Sequence, residues 1–378
     1  MHDAAVFMNT ALVYDWLVTI AGGEKTLQAV RDLFPSPIFT LVYDPKLLSL
    51  PEWGDAVIKA SCLQKLPFAA KWFRNLLPLF PRAIESFDLS SYDVVVSCSH
   101  SVAKGALTHS NQLHICYCFT PMRYAWDLHW DYMSSLGGIK RVFAERALHR
   151  LRGWDFASSF RVDSFVAISS HVARRIRKVY GREAKVIYPP VATHLIKTEE
   201  NKEEFYLTAG RLVPYKRVDL IVEAFGAMPK KKLLVVGDGP EMKKVKAKAG
   251  KNVEILGCLQ DSLLRELMAK AKAFIFAAEE DFGIAPVEAQ AAGTPVIAFG
   301  RGGVLETVTP GETGLFFSKQ SVESIVQCVE DFEQRTFDPR EIGKSAGRFS
   351  EARFKEEFKS FVKEKWEAFC EDRHFGGR

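Results

Sequence analysis

The sequence has no Asp-x-Asp, no His-Glu-x-x-His and no spaced Cys/His set, so it offers a metal-dependent mechanism no ligands. It also lacks G-x-x-x-x-G-K-[ST] and G-x-G-x-x-G, which excludes a P-loop and a dinucleotide fingerprint. Seven cysteines, an odd number without a Cys-x-x-Cys, form neither a disulfide framework nor a zinc site. They are expected to be reduced, buried thiols, with Cys116 and Cys118 in an apolar, strand-like run. No apolar run reaches the roughly eighteen residues that a membrane span needs, and the N-terminus lacks the pattern of a signal peptide. The expectation is a cytoplasmic protein.

The 378 residues suffice for two domains with separate cores, and the net charge of +5 does not point to nucleic acid. The distribution of that charge is less even. Twelve lysines and arginines between Lys140 and Lys185 are opposed by four acids. They form either solvated helix faces or a surface turned to anionic lipid headgroups or a phosphorylated acceptor. The segment from Leu63 to Arg82 is apolar with scattered cations and reads either as a helix packed on the first sheet or as a membrane-interface segment.

From Phe205 onward short apolar strands alternate with helical stretches: Phe205–Ala209, Leu233–Gly237, Val253–Leu256, Ala273–Ala278, Pro295–Phe299 and Gly314–Phe317 read as strands. The pattern predicts an α/β doubly wound parallel sheet. The N-terminal half repeats it less cleanly, with strands near Ala11–Trp16, Pro37–Val42, Asp93–Ser97, Leu113–Cys118, Phe165–Ile168 and Lys185–Tyr188. Tyr188-Pro-Pro-Val191, followed by an acidic run from Thr198 to Glu204 with no core to join, reads as the linker. Residues 1–195 and 205–350 are thus expected as two Rossmann-like domains. Residues 351–378 are expected to form a helix whose aromatic stripe crosses back to the first domain.

The richest stretch is Glu280-Asp-Phe-Gly-Ile-Ala-Pro-Val-Glu288, two carboxylates around a Phe-Gly turn between a buried strand and a helix. A carboxylate pair on the loops after a strand can hold a polyhydroxylated ligand, since open α/β sheets bind ligands there. Arg211 and Lys216 follow another strand and stand before a helix, where cations oppose the helix dipole; two cations there suit a diphosphate. Gly237-Asp238-Gly239-Pro240 and Gly22-Gly23 each end a strand and open a helix, so they are either plain turns or places where a phosphate meets backbone N–H groups.

Gly210-Arg211 to Lys216, Gly237 to Pro240, Glu280-x7-Glu288 and Gly300-Arg301-Gly-Gly-Val-Leu-Glu306 together resemble the family 4 glycosyltransferases. These are retaining enzymes of the GT-B fold, in which two Rossmann-like domains face each other across a cleft. The resemblance implies that Glu288 holds the donor ribose, Glu280 the donor sugar, and Arg211 with Lys216 the departing diphosphate. It implies further donor contacts through Gly22, Gly23, Gly237, Asp238, Phe282, Gly283 and Ile284, mostly by backbone. It also implies no cofactor and no metal, a nucleotide-sugar donor, and a glycan or glycolipid acceptor.

In the N-terminal half, Tyr14-Asp15-Trp16-Leu17, Gly22-Gly23-Glu24-Lys25, the stretch Ser99 to Gly105 and the stretch Tyr117 to Asp127 resemble bacterial mannosyltransferases of O-antigen and other surface polysaccharides. On that likeness the donor is GDP-mannose, and the acceptor side involves His100, Lys104, Arg123 and Trp126. It extends to peripheral contact with the inner membrane from its cytoplasmic face. Two positions depart from the pattern: Phe119 stands where similar sequences usually have His, and Ala192 where they have Asp. A nucleotide-sugar epimerase on the same fold and a non-catalytic nucleotide-sugar binder remain the alternatives.

Overall fold

The computed structural model describes residues 8–134 and 136–375. The chain divides into two compact units, one formed by residues up to Tyr188 together with those from Phe354, the other by Pro189–Arg353. Each is built on one parallel sheet.

The first sheet contains β1 (Thr10–Tyr14), β2 (Ile38–Thr40), β3 (Ile58–Ala60), β4 (Val94–Ser99), β5 (Leu113–Cys118), β6 (Ser164–Ala167) and β7 (Ala184–Val186). Their order is β3-β2-β1-β4-β5-β6-β7, and every pairing is parallel. β1, β4 and β5 are buried at every position, which is why they read as mainly apolar runs. β3 escapes sequence reading because Ile58-Lys-Ala60 is a three-residue edge strand with no periodicity to detect. The second sheet contains β8 (Phe205–Ala209), β9 (Lys232–Val236), β10 (Val253–Gly257), β11 (Ala273–Phe276), β12 (Val296–Phe299) and β13 (Gly314–Phe317), in the order β10-β9-β8-β11-β12-β13.

The acidic run after the Pro-Pro pair is not free of a core. Thr198 Oγ1 donates to the Ala291 carbonyl at 3.1 Å, and Lys202 Nζ donates to the carbonyls of Ala269 and Ala292 and to Thr294 Oγ1. Burial lowers the Lys202 pKa to about 8. The carboxylates face solvent while this lysine, which has lost most of its water, ties the run to the second unit.

The aromatic stripe of the C-terminal helix Glu351–Phe375 packs within the first unit. Phe354 and Phe358 each meet Tyr117 edge-on at 5.6 Å, and Lys355 pairs with Asp32 at 2.8 Å. Of the cysteines, Cys98, Cys116, Cys118 and Cys328 are buried, but Cys62 and Cys258 are exposed, so the expectation of buried thiols fails at those two. All seven are free.

Lys104 does not line an acceptor side. Its ammonium is buried 2.5 Å from Asp155 Oδ1 and 3.0 Å from Ser158 Oγ, inside the helix Gly138–Ser158. Asp155 also accepts from Trp126 Nε1 at 2.8 Å and from the Tyr180 hydroxyl. The polar edge of Trp126 is therefore committed to the same buried carboxylate. A short lysine-bearing turn after β4 reads in sequence like a surface loop, because nothing in it announces a partner fifty-one residues later.

Removing one member of this network leaves a buried charge without its counter-ion. Lys104→Ala is expected to lower stability by about 3–5 kcal/mol in denaturant titration. A loss below about 1 kcal/mol would mean that the pair is solvated and contributes little.

Candidate functional site

In both sheets the strand order reverses beside the first strand of the unit, between β1 and β4 and between β8 and β11. Connections leave such a point in opposite directions and open a crevice at the strands' carboxyl ends. Each motif that sequence reading singled out sits on loops at one of these points or beside it.

In the second unit, Lys216 follows β8 and Glu280 follows β11, and they meet across the switch point with Nζ 3.0 Å from Oε1. Both side chains are about one-fifth exposed, so the pair is sheltered yet reachable. Burial pulls the Lys216 pKa down, but the charge of Glu280 and the hydrogen bond to it outweigh this and leave it raised. The lysine stays cationic. Arg211 lies earlier on the same loop, exposed and without a carboxylate partner among the described residues.

The glycines here fit loop against loop. Gly237 has φ +132°, and a side chain on it would run into the Gly210 carbonyl; one on Gly239 would strike the carbonyl of Leu212. Backbone bonds from Leu212 to Asp238 at 2.9 Å and from Glu241 to Leu212 at 3.1 Å lock the two turns together. Close approach of a ligand is thus not needed to explain Gly237. Asp238 is exposed and accepts from the next amide, Gly239, at 2.7 Å.

The Gly300 to Gly303 loop fixes Glu280 in the same manner. Gly303 N donates to the Glu280 carbonyl at 2.8 Å, and a side chain on Gly302 or Gly303 would collide with the backbone from Glu280 to Phe282. Gly283, at φ +90°, turns the chain into the helix Ile284–Ala291. Pro286 fits because first-turn amides have no partner within the helix. The side chain of Phe282 is buried edge-on against Phe349 at 5.4 Å, so it cannot face a donor, and only its backbone remains available. Glu288 lies partly exposed within that helix, and Ile284 is partly exposed at its start.

In the first unit, Gly22 and Gly23 open the helix Gly22–Leu33 directly after β1. Glu24 caps it, accepting from Ala21 N at 2.9 Å and from the Tyr14 hydroxyl at 3.0 Å. A side chain on Gly23 would press on that hydroxyl and reach the Phe119 ring.

Asp15, quoted in the Tyr-Asp-Trp-Leu motif but given no role in sequence reading, proves to organise this end of the sheet. Fully buried, it accepts from four successive amides, His100 and Ser101 on one oxygen and Val102 and Ala103 on the other, at 2.6–3.0 Å. The same carboxylate lies 3.0 Å from His100 Nδ1. It orients an imidazole that is partly exposed and ringed by Trp16, Tyr14 and Phe119. An aspartate at a strand end is the only sequence signal for this, and its amide partners lie eighty-five and more residues away. Arg123 lies nearby in sequence to Phe119 and is partly buried rather than exposed. Among the described residues no three His, Cys, Asp or Glu cluster as metal ligands would, and no helix is long and apolar enough to cross a membrane.

Residues 193–349 match the family model of glycosyl transferases group 1. The chain is 28% identical to the GDP-mannose-dependent monoacylated alpha-(1-6)-phosphatidylinositol monomannoside mannosyltransferase of Corynebacterium glutamicum, over 51% of this chain and 60% of that protein. It is also 28% identical to the lipopolysaccharide core biosynthesis mannosyltransferase LpsB of Rhizobium meliloti, over 51% of this chain and 62% of that one. These matches therefore span less than two thirds of either relative. Among solved structures, Anabaena Alr3699/HepE in complex with UDP superposes with a TM-score of 0.66 at 17% identity, covering 94% of this chain and all of that one. The chain thus folds as two parallel-sheet Rossmann-like units, the GT-B fold, and the Lys216 and Glu280 loops lie inside the segment that matches the glycosyl transferases group 1 model.

Proposed function

We propose that the protein is a retaining, metal-independent glycosyltransferase that moves a hexose, mannose from GDP-mannose, to a hydroxyl of a growing, lipid-linked surface glycan. The observation that carries this reading is the Lys216–Glu280 pair at the β8/β11 switch point, with Arg211 on the same loop as Lys216. A nucleoside diphosphate leaving the anomeric carbon takes the bonding electron pair with it, and fixed cations stabilise that charge. Lys216 and Arg211 supply them, while Glu280, released from Lys216 by the incoming phosphate, accepts from sugar hydroxyls. Glu288 holds the ribose diol. The acceptor hydroxyl loses its proton to an oxygen of the leaving diphosphate as its own oxygen bonds to carbon.

The names of the relatives support mannose, and both act on lipid-borne glycans by those names. The UDP in the Anabaena structure makes UDP-hexoses the first competitors in any assay. Such an acceptor places the enzyme on the cytoplasmic face of the inner membrane.

The reading is tested with purified protein and a panel of nucleotide sugars. Slow acceptor-free hydrolysis, fastest with GDP-mannose and undiminished by chelators, is expected. Epimer formation without acceptor, or binding without turnover, would replace the transferase with one of its two alternatives. Lys216→Ala is expected to cut turnover by about 100-fold or more while the circular dichroism spectrum is unchanged; near-normal kinetics would remove the site. Glu288→Ala is expected to weaken donor binding by about 1.5–3 kcal/mol in calorimetry, the worth of a charge-assisted hydrogen bond.

A further inference from the structure

We propose that the first unit carries a docking surface for anionic phospholipid, built from the segments 65–79, 130–134 and 138–150. All three rest on one core, to which the first contributes Ala69 and Phe73, the second Met133 and the third Leu148. Several of their outer residues are large, apolar and exposed. Phe68 is 77% exposed and Trp72 56%, while Trp130, Ile139 and Phe143 are 74%, 76% and 69% exposed. Clusters of large exposed apolar side chains on a soluble unit mark interaction sites.

Three observations choose a bilayer as the occupant. No Asp or Glu occurs between Asp55 and Glu85, whereas Lys65, Lys71 and Arg74 are interleaved with the exposed aromatics. Aromatic rings beside cations suit the headgroup layer, where the ring sits at the apolar boundary and the cation meets phosphate. In the helix Gly138–Ser158, Ile139, Val142 and Phe143 form one uncovered face, continued along the helix by Arg146 and Arg150. Apolar residues at that spacing followed by arginines are the pattern of a helix seated in a membrane interface. Third, Phe68 is one of two non-glycine residues with positive φ among the described residues, at +55°. A backbone held in an unfavourable region so as to present a phenyl ring to water is a feature that packing does not require.

The proposal stands apart from the sugar chemistry, and its test keeps them apart. The full-length protein is floated with vesicles of phosphatidylcholine, with and without phosphatidylglycerol. Binding is expected only with the anionic lipid and to weaken with salt. The double variants Phe68→Ser/Trp72→Ser and Ile139→Ser/Phe143→Ser are each expected to lower vesicle affinity by about tenfold or more. Their circular dichroism and the melting shift induced by nucleotide sugar should match those of the parent chain. Absence of vesicle binding, or equal binding by both variants, would overturn the surface and leave the transferase reading untouched. Sedimentation showing a dimer that the same substitutions dissociate would assign the patch to a second copy of the chain.

Discussion

Parallel pairing with a reversal of strand order is the constraint on which the rest depends. A parallel strand can be joined to its neighbour only by a crossover, so each loop at a strand's carboxyl end must turn to one face or the other. Where the order reverses, neighbouring loops turn apart. In the second unit that parting lies between β8 and β11, and Lys216 and Glu280 are the residues that span it. In the first it lies between β1 and β4, spanned by Asp15 and His100. Two sheets with unrelated side chains thus put a carboxylate and a basic group at the same topological place.

The two pairs are held differently, and the difference bears on what each can do. Asp15 is saturated by four amides and is fully buried, so its position is fixed and its effect is exerted through the imidazole it orients. Glu280 is fixed through its backbone by the Gly302-Gly303 turn, which leaves the carboxylate itself free to exchange Lys216 for another partner. Glycines do the positioning there because only they allow two backbones to touch. The cost is about 1 kcal/mol of chain entropy for each, recovered in the fixed geometry of the loop.

Much of this was legible in the sequence. The inner strands β8, β11 and β12 of the second sheet showed as apolar runs because they are buried at every position, and β8 and β13 match their predicted bounds. The motifs at the two switch points showed because glycines, cations and carboxylates are out of place at strand ends unless something requires them. What stayed hidden was long-range pairing between ordinary residues. Lys104 reads as available in sequence, yet Asp155 holds it, and the Phe282 ring packs on Phe349, which leaves only the backbone there open to a ligand. Asp15 was visible as part of a motif, but no local pattern announces a carboxylate that serves a loop eighty-five residues away.

Phe119 shows how the first unit accommodates a phenyl ring where the resemblance leads one to expect His. The ring packs edge-on against Tyr117 at 5.6 Å and Tyr14 at 6.4 Å, and lies 6.2 Å from the His100 ring. An imidazole at position 119 would have to find polar partners among those rings, whereas phenyl needs none. Phenyl also removes a competitor for the Tyr14 hydroxyl, which Glu24 already engages at the helix start. His100 is left as the imidazole beside that aromatic wall, with its Nδ1 side engaged by Asp15 and its ring partly open to solvent. The crevice of the first unit therefore keeps a polar group at its switch point, but supplies it from the end of β4 rather than from the end of β5.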